Sequence, residues 1–296
     1  MAQHSLAWQK VCSVLERLPK EKRTNRSDIM KDLFCEHRKL DPKSDTAPRG
    51  DHMYSLIRLL LPQLDRDQEG NNVLYHMKEI KIAKTFIAAL GIKGTPGAQK
   101  LLNWRKPEGG EGYGEFGTVL YHQLVPPGRV SRLGKKITVS DVNAFLHDMS
   151  AKEEDTDQEA LVKDLCTKAS ALELKWIAKV LLKDLKASAT ETLVLGALHP
   201  DARQLFETNA RLRDIVAKCS DPRTRVGSEG IQLMNPFRPM LAEKTEDLKS
   251  ITKYFKNKPF WLEPKLDGER LLLHKDGEVM RKSARESKYL YRTNAA

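Results

Sequence analysis

The sequence predicts two unlike parts: an all-α domain over residues 1–228, and over 229–296 the truncated start of an α+β domain. Three observations carry this. Apolar residues recur at helical spacing from residue 5 to about 225. A polar, glycine-containing stretch, Arg223 to Gly230, then interrupts the pattern. Beyond it, short apolar runs flank Lys275-Asp276-Gly277-Glu278, whose Asp-Gly pair is a strong hairpin signal. A chain of 296 residues is long enough for two cores.

Val11, Val14, Leu15 and Leu18 stand at i, i+3, i+4 and i+7, and Pro19 stops that helix. A second helix carries Met30, Leu33, Phe34 and His37 on one face. A third places Met53, Ile57, Leu60, Leu61 and Leu64 together, with Pro62 kinking or breaking it. Ile80, Ala83, Ile87 and Leu90 make another stripe, closed by Gly91 where a left-handed cap is cheapest. Gly112, Gly114 and Gly117 spell Gly-x-Gly-x-x-Gly. The preceding Arg105-Lys106-Pro107-Glu108 is no buried strand, so these glycines predict a loop or a close backbone approach, not a dinucleotide site.

Thr138 or Ser140 caps a helix whose apolar face is Val142, Phe145, Leu146 and Met149. The acidic tract from Lys152 to Glu159 reads as a solvated link and first helical turn. A helix from Ala171 to about Lys186 then carries Leu174, Ile177, Leu181 and Leu185 as one stripe and Lys175, Lys179, Lys183 and Lys186 as another. Such a cationic row is an ordinary solvated face or a grip for phosphates. Ser188-Ala189-Thr190-Glu191 reads as a capping box opening a helix toward His199 and Pro200. A further helix runs from Leu205 to Cys219.

In the second part, Pro236 to Ala242 is extended, Thr245 to Tyr254 a short helix and Phe260 to Leu262 a strand. Arg270 to His274 and Val279 to Ser283 form the hairpin arms. Lys+Arg exceed Asp+Glu by 51 to 40, a formal charge of +11, which fits a protein that meets a polyanion. The four cysteines are widely spaced, without metal-ligand patterns, and predict reduced core thiols in a reducing compartment. The N-terminus lacks the apolar run of a secretory signal, and no segment approaches about 18 apolar residues, so neither export nor membrane spanning is expected.

Lys265 follows an apolar run and precedes Asp267-Gly268 and Arg270. An amine delivered into such a turn is a candidate covalent nucleophile, provided a dry pocket or nearby cations lower its pKa from roughly 10.4. Gly268 permits backbone geometry that a side chain would block, and Arg270 offers a planar fork to a phosphate or ribose.

The stretch Glu263-Pro264-Lys265-Leu266-Asp267-Gly268-Glu269-Arg270 resembles the nucleophile motif of the covalent nucleotidyltransferases, the superfamily of ATP-dependent DNA ligases, RNA ligases and capping enzymes. Phe237-Arg238-Pro239-Met240-Leu241-Ala242 resembles an element of the eukaryotic and archaeal DNA ligases that capping enzymes lack. Leu59 to Arg66, Lys100 to Arg105, Lys175-Trp176-Ile177 and Lys183-Asp184-Leu185-Lys186 are similar to the DNA-binding domain of the ligase IV branch, so the likeness runs from about residue 50 onward.

That resemblance implies an all-α DNA-binding domain followed by the start of an α+β covalent nucleotidyltransferase (ATP-grasp-like) adenylation domain. It implies ATP and magnesium as cofactors, and a lysyl-AMP intermediate on Lys265. Glu263, Pro264, Leu266 and Arg270 would complete this chain's share of the nucleotide site. Lys175, Lys179, Lys183 and Lys186 would grip double-stranded DNA ends or nicks, in the nucleus, during non-homologous end joining. The family's residue before the lysine usually offers its N–H to adenine, and Pro264 has none. Ser283-Ala284-Arg285-Glu286 matches the family's next motif poorly. The expectation is a fragment: metal ligands, the oligonucleotide-fold domain and the repeats that hold a coiled-coil scaffold partner and other end-joining proteins would lie beyond Ala296. The alternative is a catalytically incomplete DNA- or partner-binding module derived from such a ligase.

Overall fold

The computed structural model describes residues 5–40, 51–66, 72–105, 114–125, 137–227, 230, 233, 235, 237–238, 247–256, 258–261, 263–264, 271–277, 279–284 and 289–292. Trp8–Arg17 form helix α1, burying Val11, Val14 and Leu15 as their spacing predicts, and Pro19 turns the chain into a 3-10 segment, Leu18–Lys20. Arg23–Lys39 form α2 with Met30, Leu33, Phe34 and His37 inward. Asp51–Leu60 form α3. Pro62 breaks rather than kinks the helix, and Pro62–Leu64 continue as a 3-10 turn.

Glu79–Ala89 form α4, and Gly91 follows with φ +64°. The predicted stripe is out of phase at one end: Ile80 is 65% exposed, while Ile82, Ala83, Phe86 and Ile87 form the buried face. Pro96–Leu102 form α5, with Thr95 as N-cap and Pro96 in the first helical position. Phe116–Leu124 form α6. Val139–Ala151 form α7, and of the two predicted caps Thr138 is used, in a capping box with Asp141. Just before that cap, the N-terminal segment pairs with the chain: Trp8 donates its N–H to Ile137 O at 2.9 Å and Val139 to Leu6 O at 2.8 Å. Asp155–Lys168 form α8, within which Gln158 of the acidic tract is fully buried.

Ala171–Leu181 form α9, opened by a capping box between Ser170 and Glu173. Glu191–Leu198 form α10, and its cap is Thr190, not Ser188, which has φ +57°. The predicted single helix from Leu205 to Cys219 is two: Ala202–Thr208, α11, and Leu212–Lys218, α12. Asn209 divides them, its side chain accepting the Arg211 N–H at 3.0 Å, a local bond that competes with helix continuation. The helices pack as α6 on α9, α4 on α8, α2 on α10 and α3 on α12 around one core. Three of the four cysteines lie in it. Burial pushes the Cys12 thiol up, and the Cys166 thiol up to about 12, while Cys35 stands exposed. No helix among the described residues is long and apolar enough to cross a membrane.

The end of the helical part is pinned. Asp201 accepts from the Val226 N–H at 3.1 Å and pairs with Arg225 at 2.8 Å, and buried His199 places Nε2 2.8 Å from Thr224 O. The predicted boundary at residues 228 and 229 lies outside the described residues. Beyond it, Leu248–Phe255 form α13, and Leu271–Asp276, Val279–Ala284 and Tyr289–Arg292 form an antiparallel meander β1-β2-β3. Asp276 pairs with Val279, so the turn is tight and is entered by Gly277 at φ +57°. Phe260 and Trp261 are not in a strand. Trp261 is 95% exposed.

Candidate functional site

The four predicted DNA-gripping lysines do not form one helical row. Helix α9 ends at Leu181, so Lys183 and Lys186 lie in the loop that follows it. Lys175 is 12% exposed, with Nζ 2.5 Å from Glu16 Oε1 and 5.6 Å from the centre of the Tyr121 ring. Lys179 is 6% exposed and donates to Glu115 Oε2 at 2.7 Å and to Leu185 O at 3.3 Å. Between them Trp176 donates to the same Glu16 oxygen at 3.0 Å. Burial by itself raises the Glu115 pKa, but the hydrogen bond and charge of Lys179 bring it below the usual carboxylate value. These two ammonium groups tie α9 to α1 and to the start of α6.

The loop after α9 is a different matter. Lys183 donates its N–H to Val180 O at 2.9 Å and Asp184 to Lys179 O at 3.0 Å, a Schellman closure with Lys183 in the left-handed position that glycine usually takes. Its φ is +56°, and Lys186 and Ser188 follow with +46° and +57°. Each such residue costs about 1 kcal/mol of backbone strain. The Lys183 ammonium adds a second cost. Burial pulls its pKa down to about 8, with Asp65 pulling up and Arg66 and Arg58 pushing down, while Nζ sits 5.6 Å from the centre of the Tyr75 ring. Lys186 is half exposed, 3.4 Å from both Gly114 O and Asp184 Oδ2. It stands at the edge of a cleft of about 920 Å³ also lined by Lys78, Lys81, Lys84, Arg105 and Trp104. The cleft has acidic members too, and Asp155 holds Lys81 at 2.7 Å.

Asp65, the anion whose charge acts on Lys183, belongs to a buried cluster that sequence reasoning missed. Asp65, at 1% exposure, takes both arms of Arg58, Nε to Oδ1 at 3.0 Å and Nη2 to Oδ2 at 2.6 Å. Tyr54 and Tyr75 donate hydroxyls to it at 3.2 and 2.7 Å. Burial first, then Asp65, raises the Tyr54 phenol to about 12 and Tyr75 further, so both remain donors. Arg58 also reaches Asn143 Oδ1 at 3.2 Å, joining α3 to α7. Leu59 to Arg66 is legible as a family block, but nothing in it says that Asp65 is buried.

Of the glycine motif, Gly112 lies outside the described residues, and the other two serve a turn and a close approach. Gly114 turns at φ +92°, and Gly117, inside α6, lies so close to α9 that a Cβ would sit 2.5 Å from Lys175 O and 2.8 Å from Lys179 Cγ. Gly117→Ala is expected to lower stability by about 1–3 kcal/mol as the two helices are forced apart. Urea unfolding measures this, and an unchanged midpoint would refute the close-approach reading.

Of the predicted nucleotide-site residues, Glu263 and Pro264 are described and exposed. Lys265, Leu266 and Arg270 lie outside the described residues. Among the described residues no group of three or more His, Cys, Asp or Glu side chains is placed to hold a metal ion.

The molecule is thus a helical domain with a costly basic loop, continued by a hairpin-bearing segment. The family described as DNA ligase N terminus matches residues 6–199, and that described as ATP dependent DNA ligase domain matches 239–295. The chain belongs to the ATP-dependent DNA ligase family. The match opens at residue 6, well before residue 50, where the sequence likeness was first legible. Within the family it is similar to proteins named DNA ligase 4. It is 35% identical to that of Gallus gallus and 34% to that of Homo sapiens, each over 278 residues and 91% of this chain. It is 33% identical to that of Coprinopsis cinerea over 94% of this chain. The chain spans 30%, 30% and 27% of the lengths of these relatives.

Proposed function

We propose that the chain is the DNA-binding and AMP-accepting portion of a ligase IV-type enzyme that seals double-strand breaks in nuclear non-homologous end joining. The observation that carries the reading is order: the helical ligase match precedes the ATP-dependent match, and Glu263-Pro264-Lys265-Leu266-Asp267-Gly268 falls inside the second. The covalent nucleotidyltransferase fold of that second part belongs to the same proposal.

In this reading the unprotonated Lys265 amine attacks the α-phosphate of ATP. An N–P bond forms, the bond to the bridging oxygen breaks, pyrophosphate leaves and the amine proton passes to solvent. AMP is then transferred to a 5′-phosphate at the break and displaced by the 3′-hydroxyl. Arg270 steadies ribose or phosphate, and Glu263 and Leu266 flank the adenosine. Pro264 beside the nucleophile has no N–H for adenine, so base recognition falls to other groups. Incubation with ATP labelled at the α-phosphate tests the step. A labelled protein band lost in Lys265→Ala is expected. No band from the unsubstituted chain would refute AMP acceptance and leave a DNA- or partner-binding module.

Lys175 and Lys179 have ammonium groups engaged inside the fold, so DNA meets the loop bearing Lys183 and Lys186 and the neighbouring cleft instead. A lysine held in a left-handed position and partly desolvated is doubly unfavourable for folding, which supports a role in binding. Phosphate contacts of this kind position the duplex without reading its sequence. Lys183→Gly relieves the strained φ, and a gain in stability of up to about 1 kcal/mol is expected. The same variant should bind duplex DNA more weakly for all sequences, with a salt slope lower by about one unit. An unchanged slope would remove Lys183 from the interface.

A further inference from the structure

The dipeptide Phe237-Arg238 touches both parts of the molecule. On one side, the Arg238 guanidinium meets Glu191 with two parallel bonds, Nη1 to Oε1 and Nη2 to Oε2, each 2.6 Å. Its Cζ lies 4.5 Å from the centre of the Phe206 ring, and its backbone N–H donates to Glu207 O at 2.9 Å. Glu191 opens α10, where the helix dipole favours a carboxylate, and Phe206 is buried in α11. On the other side, the Phe237 ring packs edge-on against the buried His274 ring of β1, centroids 6.1 Å apart and planes at 81°. Adjacent residues in extended chain project to opposite sides. One dipeptide therefore reaches a helix pair and a sheet at once.

We propose that Phe237-Arg238 is a two-sided clasp, and that Arg238 is a positioning residue that sets the orientation of the β1-β2-β3 sheet against the α10–α11 face. The recognition is specific to arginine. A bidentate fork to Glu191 with the guanidinium carbon 4.5 Å from the Phe206 ring centre uses the planar, delocalised head of arginine, which lysine lacks. The backbone bond to Glu207 O holds the segment in place whichever side chain is present, so the side chain's task is orientation. Because the Arg238–Glu191 pair is partly exposed, with 41% and 27% of the two side chains accessible, its strength falls with ionic strength. The clasp is independent of the proposed ATP chemistry, since neither residue takes part in it.

The cysteines make the test direct. Cys35 is exposed while Cys12, Cys166 and Cys219 are buried, so Cys35 and a Lys275→Cys substitution at an exposed position of β1 accept a donor–acceptor dye pair. In the full chain at low salt, single-molecule energy transfer should give one narrow distance distribution. Arg238→Gln and Glu191→Gln should each abolish the narrow peak, and raising salt should do so in the unsubstituted chain. The cooperative unfolding of the helices should stay where it was. Retention of the narrow peak in both variants would overturn the proposal. Its loss together with the cooperative helical transition would overturn it too, since Arg238 would then only be holding the helical fold.

Discussion

Replacing Asp65 by alanine is expected to remove about 3–5 kcal/mol of stability from the helical domain. The reason is what remains. Arg58, 17% exposed at its side chain, would keep a charge with its bidentate partner gone, and the Tyr54 and Tyr75 hydroxyls would lose the carboxylate they donate to. The two tyrosines come from different places in the chain, one in α3 and one in the segment before α4, so the loss loosens several contacts together. Asp65→Asn should be milder, because an amide oxygen still accepts from one phenol. Replacing Arg58 and Asp65 together by leucine and methionine should be milder still, since the Arg58 charge is no longer left without its partner and Lys183 loses a repelling cation along with its anion. Urea unfolding of the three variants measures this, and equal losses in Asp65→Ala and the double variant would refute it. A weaker packing of Lys183 should accompany the first, because Asp65 is the anion that offsets its buried charge.

Acid is expected to destabilise the protein through His37, by roughly 3 kcal/mol between pH 7 and pH 4. His37 is fully buried in α2 and stacks on His52, ring centres 3.9 Å apart and planes 7° from parallel. Each ring donates Nε2 to the other residue's carbonyl, at 3.0 and 2.9 Å. Burial pulls the His37 pKa from 6.5 to about 4. The hydrogen bond to His52 opposes this, while the neighbouring His52 and Arg38 charges add to it. A depressed folded pKa means that the unfolded chain binds the extra proton first. Stability is therefore complete above about pH 6.5 and is lost as pH falls toward about 4. The stability difference between the unsubstituted chain and His37→Phe should shrink by that amount across this window. A difference that is constant with pH would assign acid lability to other groups.

The helical class, the order of the early helices, an interruption at Pro62, a cap at Thr138 or Ser140 and the hairpin around Gly277 were all legible in the sequence. Each is decided by residues within a turn or two of one another, where periodicity, capping and turn chemistry act. The errors share a different cause. Ile80 fits a helical stripe but faces outward, because α4 is rotated to bury Phe86 against the rest of the core. One apparent helix from Leu205 to Cys219 is two, because the Asn209 side chain captures a backbone N–H.

The lysines show the division most sharply. Their number and spacing announced a cationic surface, and the family likeness pointed to DNA. Yet Lys175 is engaged by Glu16, 159 positions away, and Lys179 by Glu115, 64 positions away, while Lys183 and Lys186 stand beyond the helix end. Sequence by itself determined which groups could ionise and which stretches would be helical. Only the tertiary structure decided which cations are internal struts and which stand on the loop beyond the helix, because that depends on carboxylates and rings brought together by long-range packing, and no local pattern records it.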